Sequence, residues 1–110
     1  LQLNKDSIVI LKGKYSIIAR NKIKYVNFTG NHLLAVGGSG DSLAGIIGAF
    51  AAKSSAANQS RFDLFTAARL AVYLHGAIAD YLKYDLHYSF AKPSQLTSHL
   101  NAVIHKLIGE

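Results

Sequence analysis

Residues 37–41 read GGSGD, and an apolar stretch beginning SLAGIIGAF follows at once. A glycine-rich turn that opens a helix aims several backbone N–H groups at one point, because the first four N–H groups of a helix have no internal acceptor. The helix dipole adds partial positive charge there. Such a turn is an anion hole, with phosphate as its usual occupant. The glycines let a ligand approach the backbone closely. Asp41 sits beside this hole, where a carboxylate would repel a phosphate. Two readings of Asp41 stay open on physical grounds. It is a helix N-cap, typically worth about 1 kcal/mol. Otherwise it is a general base that takes the proton of a hydroxyl attacking phosphorus, with acceptor and phosphoryl group held in line.

Two better-known glycine motifs do not fit. A P-loop needs Lys and Ser/Thr after its last glycine, whereas Asp41 and Ser42 follow Gly40. A dinucleotide fingerprint needs G-x-G-x-x-G, and Gly45 is misplaced for it.

The elements that must position this turn are legible on either side. "SIVILKG" reads as a short buried strand closed by Gly13. "KYSIIA" and "KIKYVNF" read as two further strands forming a hairpin, with Asn21 suited to the turn. "TGNHLLAVGGSGD" reads as a loop, and a helix is expected from Ser42 through "SLAGIIGAFAAKS". Gly45 and Gly48 within it cost roughly 1 kcal/mol each, which close packing against a neighbour would offset. "SAANQS" is a polar connector. "FDLFTAARLAVYLHGAIADYLKY" reads as one long, deeply buried helix and "DLHYSFAK" as a loop. From Pro93, a single helix carries Leu96, Leu100, Val103, Ile104 and Leu107 as a one-sided stripe. Three strands cannot shelter three apolar helices, so a layered α/β domain with further strands upstream is expected.

The totals agree. The chain has 110 residues, 50% hydrophobic and only 16% charged, a low charge for a small free-standing domain. There is no Cys and therefore no thiolate chemistry or disulfide, which suits a reducing cytoplasm. The opening "LQLNKDSIV" has neither an initiator Met nor a signal-peptide pattern, and reads as an edge or a cleavage point. The apolar run from Leu43 to Ala52 is far short of the about 20 residues a membrane span takes, so no membrane role is expected. The net charge is +6, and no Asp or Glu occurs from Ser7 to Gly40, a stretch that holds Lys12, Lys14, Arg20, Lys22 and Lys24. An anionic partner is implied. For Arg20, Lys22 and Lys24 a solvated hairpin face is the plainer reading.

The segments "VILKGKYSIIA", "NFTGNHLLAVGGSGDSLAGIIGAF" and "AARLAVYLHGAIADYL" resemble, in order and spacing, those of the ADP/ATP-dependent NAD(P)H-hydrate dehydratases, a branch of the ribokinase-like enzymes. The glycine motif resembles that of ribokinase-like enzymes in general; "TGN" ahead of it and "YLHG" behind make the branch specific. The resemblance implies the C-terminal, nucleotide-binding portion of a layered αβα domain, residues 1–110 being a partial domain without its N-terminal half. It implies a repair reaction in which ADP or ATP, with Mg²⁺, phosphorylates the C6 hydroxyl of hydrated NADH or NADPH, and phosphate then leaves. By position, Asp41 would contact the hydrate and act as base, which decides between the two readings above. Gly37, Gly38, Ser39 and Gly40 would receive the phosphoryl group. Lys12, Gly13, Lys14, Tyr15 and Ser16, with Asn31, would contact the nucleotide; the plain reading of Lys12 is a strand-end lysine reaching solvent. A cytoplasmic homo-oligomer is implied, with an NAD(P)H-hydrate epimerase domain fused upstream in many bacterial members.

The chain departs from the family at His32, where Pro often stands, and at Leu33, Leu34, Val36 and Ser42; none removes a group the chemistry needs. His32 reads as a solvated loop variant, His75 as a packed helix residue and His87 as a loop residue. His99 and His105 are not spaced as metal ligands on one helix face, and no protein-held metal is expected. Two rivals remain. One is a ribokinase-like kinase for a vitamin precursor or sugar, sharing Asp41 and the anion hole. The other is a nucleic-acid module using Tyr15, Tyr25 and Phe28 among the basic residues, which leaves the glycine loop unexplained.

Overall fold

A computed structural model describes residues 7–57 and 63–109. The chain opens with three strands, β1 (Ile8–Leu11), β2 (Ser16–Arg20) and β3 (Ile23–Asn27). They form one antiparallel sheet in the order β1-β2-β3. The register runs from Ile8 opposite Arg20 to Leu11 opposite Ile17, and from Ser16 opposite Asn27 to Arg20 opposite Ile23. Asn21 makes the tight second turn at φ 55°, a left-handed conformation that Asn tolerates better than most residues. This up-down-up order has a functional consequence. It brings the turn after β1, residues 12–15, to the same end of the sheet as the chain leaving β3.

The expected loop over residues 29–41 contains a 3₁₀ turn, His32–Leu34, and is shorter than anticipated. Helix α1 spans Ser39–Ala57, beginning three residues before Ser42 and running into the expected connector. The remainder of that connector, residues 58–60, lies outside the described residues. Helix α2 spans Leu64–Asp80 and passes into a π-helical turn over Tyr81–Asp85, where the sequence reading continued a regular helix. Asp63 caps α2, its Oδ1 accepting from the Thr66 N–H at 2.8 Å.

The single helix expected from Pro93 is two, α3 (Pro93–Ser98) and α4 (Leu100–Leu107). The break has a local cause. In an unbroken helix the His99 N–H would bond the Gln95 carbonyl. The Ser98 hydroxyl and the His99 ring nitrogen Nδ1 lie 3.2 and 2.8 Å from that oxygen instead. Pro93 stands in the first turn of α3, as expected. Leu96 and Val103 are buried and Leu100 and Ile104 pack beside them, whereas Leu107 is 48% exposed and leaves the stripe.

Helix α2 is the hub. On one side Leu74, Ile78 and Leu82 meet Leu33, Ile46, Leu96 and Val103. On the other, Phe65, Ala68 and Val72 meet Ile18 of the sheet and Leu43 of α1. Alanines at 67, 68, 71 and 79, all buried, let neighbours approach its axis. The close packing expected at Gly45 and Gly48 is not seen. Both are exposed and a Cβ at either would meet nothing within 4 Å. Among the described residues no helix is long and apolar enough to cross a membrane.

Candidate functional site

The glycine turn is built for one conformation. Gly38 has φ +92°, and a Cβ there would stand 2.8 Å from Pro93 Cγ. Both facts demand glycine. The Ser39 hydroxyl donates to the Leu34 carbonyl at 2.6 Å, and Ser42 Oγ donates to the Pro93 carbonyl at 3.2 Å. The Ser39 N–H bonds Val36 O and the Ser42 N–H bonds Gly38 O. Between them the N–H groups of Gly40 and Asp41 have no acceptor among the described residues, the arrangement an anion hole needs. Lys12 adds a charge, because a Cβ on Gly40 would stand 2.8 Å from its Nζ. An ammonium against the positive end of a helix has no electrostatic reason to stay there unless an anion arrives.

Asp41 is the third residue of α1, inside its first turn, and exposed. The N-cap reading therefore fails, since the cap position precedes Ser39. The Asp41 carboxylate makes no hydrogen bond or ion pair with a described residue and is open to a ligand.

A cavity of about 770 Å³ lies beside this turn at the end of the sheet. Its wall takes in Lys12, Gly13, Lys14, Tyr15 and Ser16, together with Asn31 and Ser39. Gly37, Gly38, Gly40 and Asp41 do not line it. They form the adjoining amino end of α1, joined to the cavity through Lys12 and Ser39. Lys12 is exposed just past the end of β1, as a strand-end lysine would be, and its Nζ also reaches the helix end.

Sequence reasoning missed what holds the loop in place. Thr29 Oγ1 donates to the Tyr73 carbonyl at 2.8 Å. The Asp80 carboxylate accepts from the Gly30 N–H at 3.1 Å and from Asn31 Nδ2 at 2.9 Å. Asn31 Oδ1 accepts from the Leu33 N–H at 2.9 Å. Asn31 therefore lines the cavity with its side chain already engaged. The backbone of Thr29 lies on Gly76, where a Cβ would stand 2.6 Å from the Thr29 carbonyl carbon. This joins "TGN" to "YLHG" physically: the loop rests on a helix face that only glycine leaves open. The signal in sequence is faint, since Asn31 and Asp80 are 49 residues apart and share no periodicity.

His75 is packed in the helix, as expected, but also lines the cavity. Burial, then the charge of Lys12, pushes its pKa below the ordinary histidine value, against a hydrogen bond with the Ser39 backbone that raises it. Its Nε2 has no partner among the described residues. His32 is exposed at the cavity rim with Nδ1 3.4 Å from Lys83 Nζ.

The basic first third does not form a free platform. Arg20 pairs with Asp63 at 3.5 Å and lies over the Phe65 ring. Arg69 covers the Tyr25 ring at 3.6 Å, and Tyr15 and Phe28 turn to each other at 5.1 Å.

Known proteins are similar to this chain in sequence and in fold. The family model described as NAD(P)H-hydrate dehydratase matches residues 1–102. The ADP-dependent (S)-NAD(P)H-hydrate dehydratase of Neisseria meningitidis is 42% identical over 76 residues, 68% of this chain and 23% of that protein. The bifunctional NAD(P)H-hydrate repair enzyme Nnr of Methanocaldococcus jannaschii is 49% identical over 53 residues, 48% of this chain and 11% of that one. The fold matches the Bacillus subtilis ADP/ATP-dependent NAD(P)H-hydrate dehydratase co-crystallised with ATP and Mg²⁺, with TM-score 0.74 and 32% identity over 91% of this chain and 34% of that one. The chain thus spans between about a tenth and a third of the length of these relatives. By its sequence and by its fold, the chain belongs to the NAD(P)H-hydrate dehydratase family.

Proposed function

We propose that this chain supplies the phosphate-receiving turn and the catalytic carboxylate of a nucleotide-dependent NAD(P)H-hydrate dehydratase. The observation that carries the reading is one juxtaposition. The Lys12 ammonium stands against Gly40 at the amino end of α1, beside two unbonded N–H groups and an exposed Asp41, at the mouth of a cavity. That cavity is large enough for a nucleoside, since small-molecule sites run from about 300 to 1,000 Å³.

Lys12 to Ser16 and Asn31 hold the nucleotide, ADP or ATP. Gly37, Gly38, Ser39 and Gly40 receive the phosphoryl group through backbone N–H groups, and Lys12 neutralises part of its charge. The Asp41 carboxylate takes the proton of the C6 hydroxyl of NADH hydrate or NADPH hydrate as that oxygen bonds to the terminal phosphorus of the nucleotide, while the bond from that phosphorus to its bridging oxygen breaks and AMP leaves from ADP, or ADP from ATP. The C6–O bond then breaks with phosphate as leaving group, and a proton lost from the ring restores the C5–C6 double bond. Mg²⁺ would arrive with the nucleotide and would offset part of the phosphate charge that the turn must bear. Among the described residues no three His, Asp or Glu side chains cluster as a metal site.

Residues 1–110 act as one part of a larger ribokinase-like domain, and a cytoplasmic homo-oligomer is the setting. An upstream epimerase domain would make the protein bifunctional like the Nnr relatives. The test is a product assay on the full-length protein with NADH hydrate, Mg²⁺ and ADP or ATP. Stoichiometric phosphate and restored NADH support the dehydratase. A stable phosphorylated product turns the assignment to a kinase.

A further inference from the structure

Two groups flank one turn of backbone at the amino end of α1, and each lacks what the other has. The first is His75, 6% exposed, with the Ser39 backbone beside its ring. That neighbour favours the charged ring, which is the effect of a carbonyl oxygen placed to accept from a ring N–H. Nε2 has no partner among the described residues, which leaves Nδ1 as the donor. A neutral ring protonated at Nδ1 presents a bare lone pair at Nε2. Nε2 is also shut off from solvent, so bulk water does not satisfy it.

The second group is Lys12. Its Nζ lies against Gly40, the residue after Ser39, and carries three N–H donors. It makes no hydrogen bond or ion pair with a described residue. It is the one charge that acts on His75 among the described residues, and both side chains line the same cavity. A buried acceptor without a donor and a cation without an acceptor therefore bracket the Ser39–Gly40 turn.

We propose that His75 is a positioning residue for Lys12: when an oxyanion settles at the amino end of α1, Nε2 accepts one ammonium N–H and leaves the other two for the anion's oxygens. The ring adds no charge of its own, since burial and Lys12 both keep it neutral. The inference rests on the reading of this turn as the phosphate-receiving site, and goes beyond it in assigning His75 a task.

The test is a binding cycle on the full-length protein. ADP, pyrophosphate and adenosine are titrated into wild type, Lys12→Met, His75→Leu and the double variant, with His75→Gln as the conservative replacement. The expected result is roughly tenfold weaker ADP and pyrophosphate binding in His75→Leu, the size of a charge-assisted hydrogen bond. Adenosine binding stays unchanged, no further loss occurs in the Lys12→Met background, and His75→Gln, which offers a carbonyl acceptor, recovers most of the affinity. Equal losses with and without Lys12, or a loss shared by adenosine, overturn the proposal in favour of simple packing. Should His75→Leu not fold, ¹⁵N spectra of the histidine ring decide. Nε2 must shift as a hydrogen-bonded acceptor when pyrophosphate is added to wild type and not to Lys12→Met; no shift in wild type overturns it. Wild type that binds adenosine but neither ADP nor pyrophosphate fails the phosphate-site reading, and the proposal with it. ADP binding with additive variants fails the proposal alone.

Discussion

At the scale of single residues, one glycine and two aspartates of the site have different tasks. Gly76 has no room for a methyl group, with Thr29 atoms 2.2 and 2.6 Å from its would-be Cβ. Gly76→Ala must push the loop outward, with an expected cost of about 1–3 kcal/mol, read as a lower melting temperature together with weaker nucleotide binding. Asp80 holds the same loop by two hydrogen bonds. Asp80→Ala leaves the Gly30 N–H and the Asn31 amide without their acceptor, for a similar loss of about 1–3 kcal/mol in urea denaturation. Asp41 differs. It bonds to no described residue, so its removal should leave the fold untouched and fall on chemistry alone. The candidacy of Asp41 was legible because a carboxylate next to a glycine turn is chemically odd. The role of Asp80 was not, because a carboxylate in a long helix reads as surface until a loop is seen to come down on it.

At the scale of elements, the strands and the glycine turn were readable and the helix boundaries less so. Alternation and the Asn21 turn define the hairpin locally, within a few residues. The early start of α1 depends on Ser39 bonding to Leu34 and on Gly38 accepting a left-handed φ, neither of which a periodicity carries. The break at His99 comes from side chains crowding one carbonyl, on a stripe that looks continuous. Helix α2 carries a pH signature. His75 is held below its ordinary pKa by burial and by Lys12. A folded-state pKa below the unfolded value of about 6.5 means the unfolded chain binds the proton more readily. Stability is therefore full above about pH 6.5 and falls as the pH drops through the folded value. Thermal melts at pH 7 and pH 5 should differ, and His75→Gln should narrow the difference. At the other end of α2, the backbone N–H of Thr66, then Arg20, hold the Asp63 carboxyl below its usual range. Asp63→Ala is expected to cost about 0.5–2 kcal/mol as a lost cap, a loss that shrinks as the pH falls through the folded Asp63 value.

At the scale of the whole molecule, no described strand pairs with the outer edges of β1 and β3, and Leu11, Ile23, Val26 and Phe28 are 49 to 71% exposed. The low charge and the apolar helices pointed to a missing shelter in the sequence. The exposed side chains of the sheet and the open glycine face of α1 are where such a shelter would fit. Residues 1–110 alone are expected to associate or bind a hydrophobic dye, and to give no dehydratase turnover, since the chain covers only 34% and 23% of the relatives it matches. A soluble, monomeric 110-residue protein with full turnover contradicts this.

The most direct test compares the full-length protein with its Asp41→Asn variant, in NADH hydrate, Mg²⁺ and ADP or ATP, while the reduced-nicotinamide absorbance is followed and nucleotide binding is titrated in parallel. The account predicts nucleotide-dependent recovery of absorbance in the wild type. In Asp41→Asn it predicts a fall in turnover of at least about 10²-fold, the scale of a lost general base, with nucleotide affinity and melting temperature essentially unchanged. Full turnover in Asp41→Asn, or no recovery from a wild type that folds and binds both nucleotides, contradicts it.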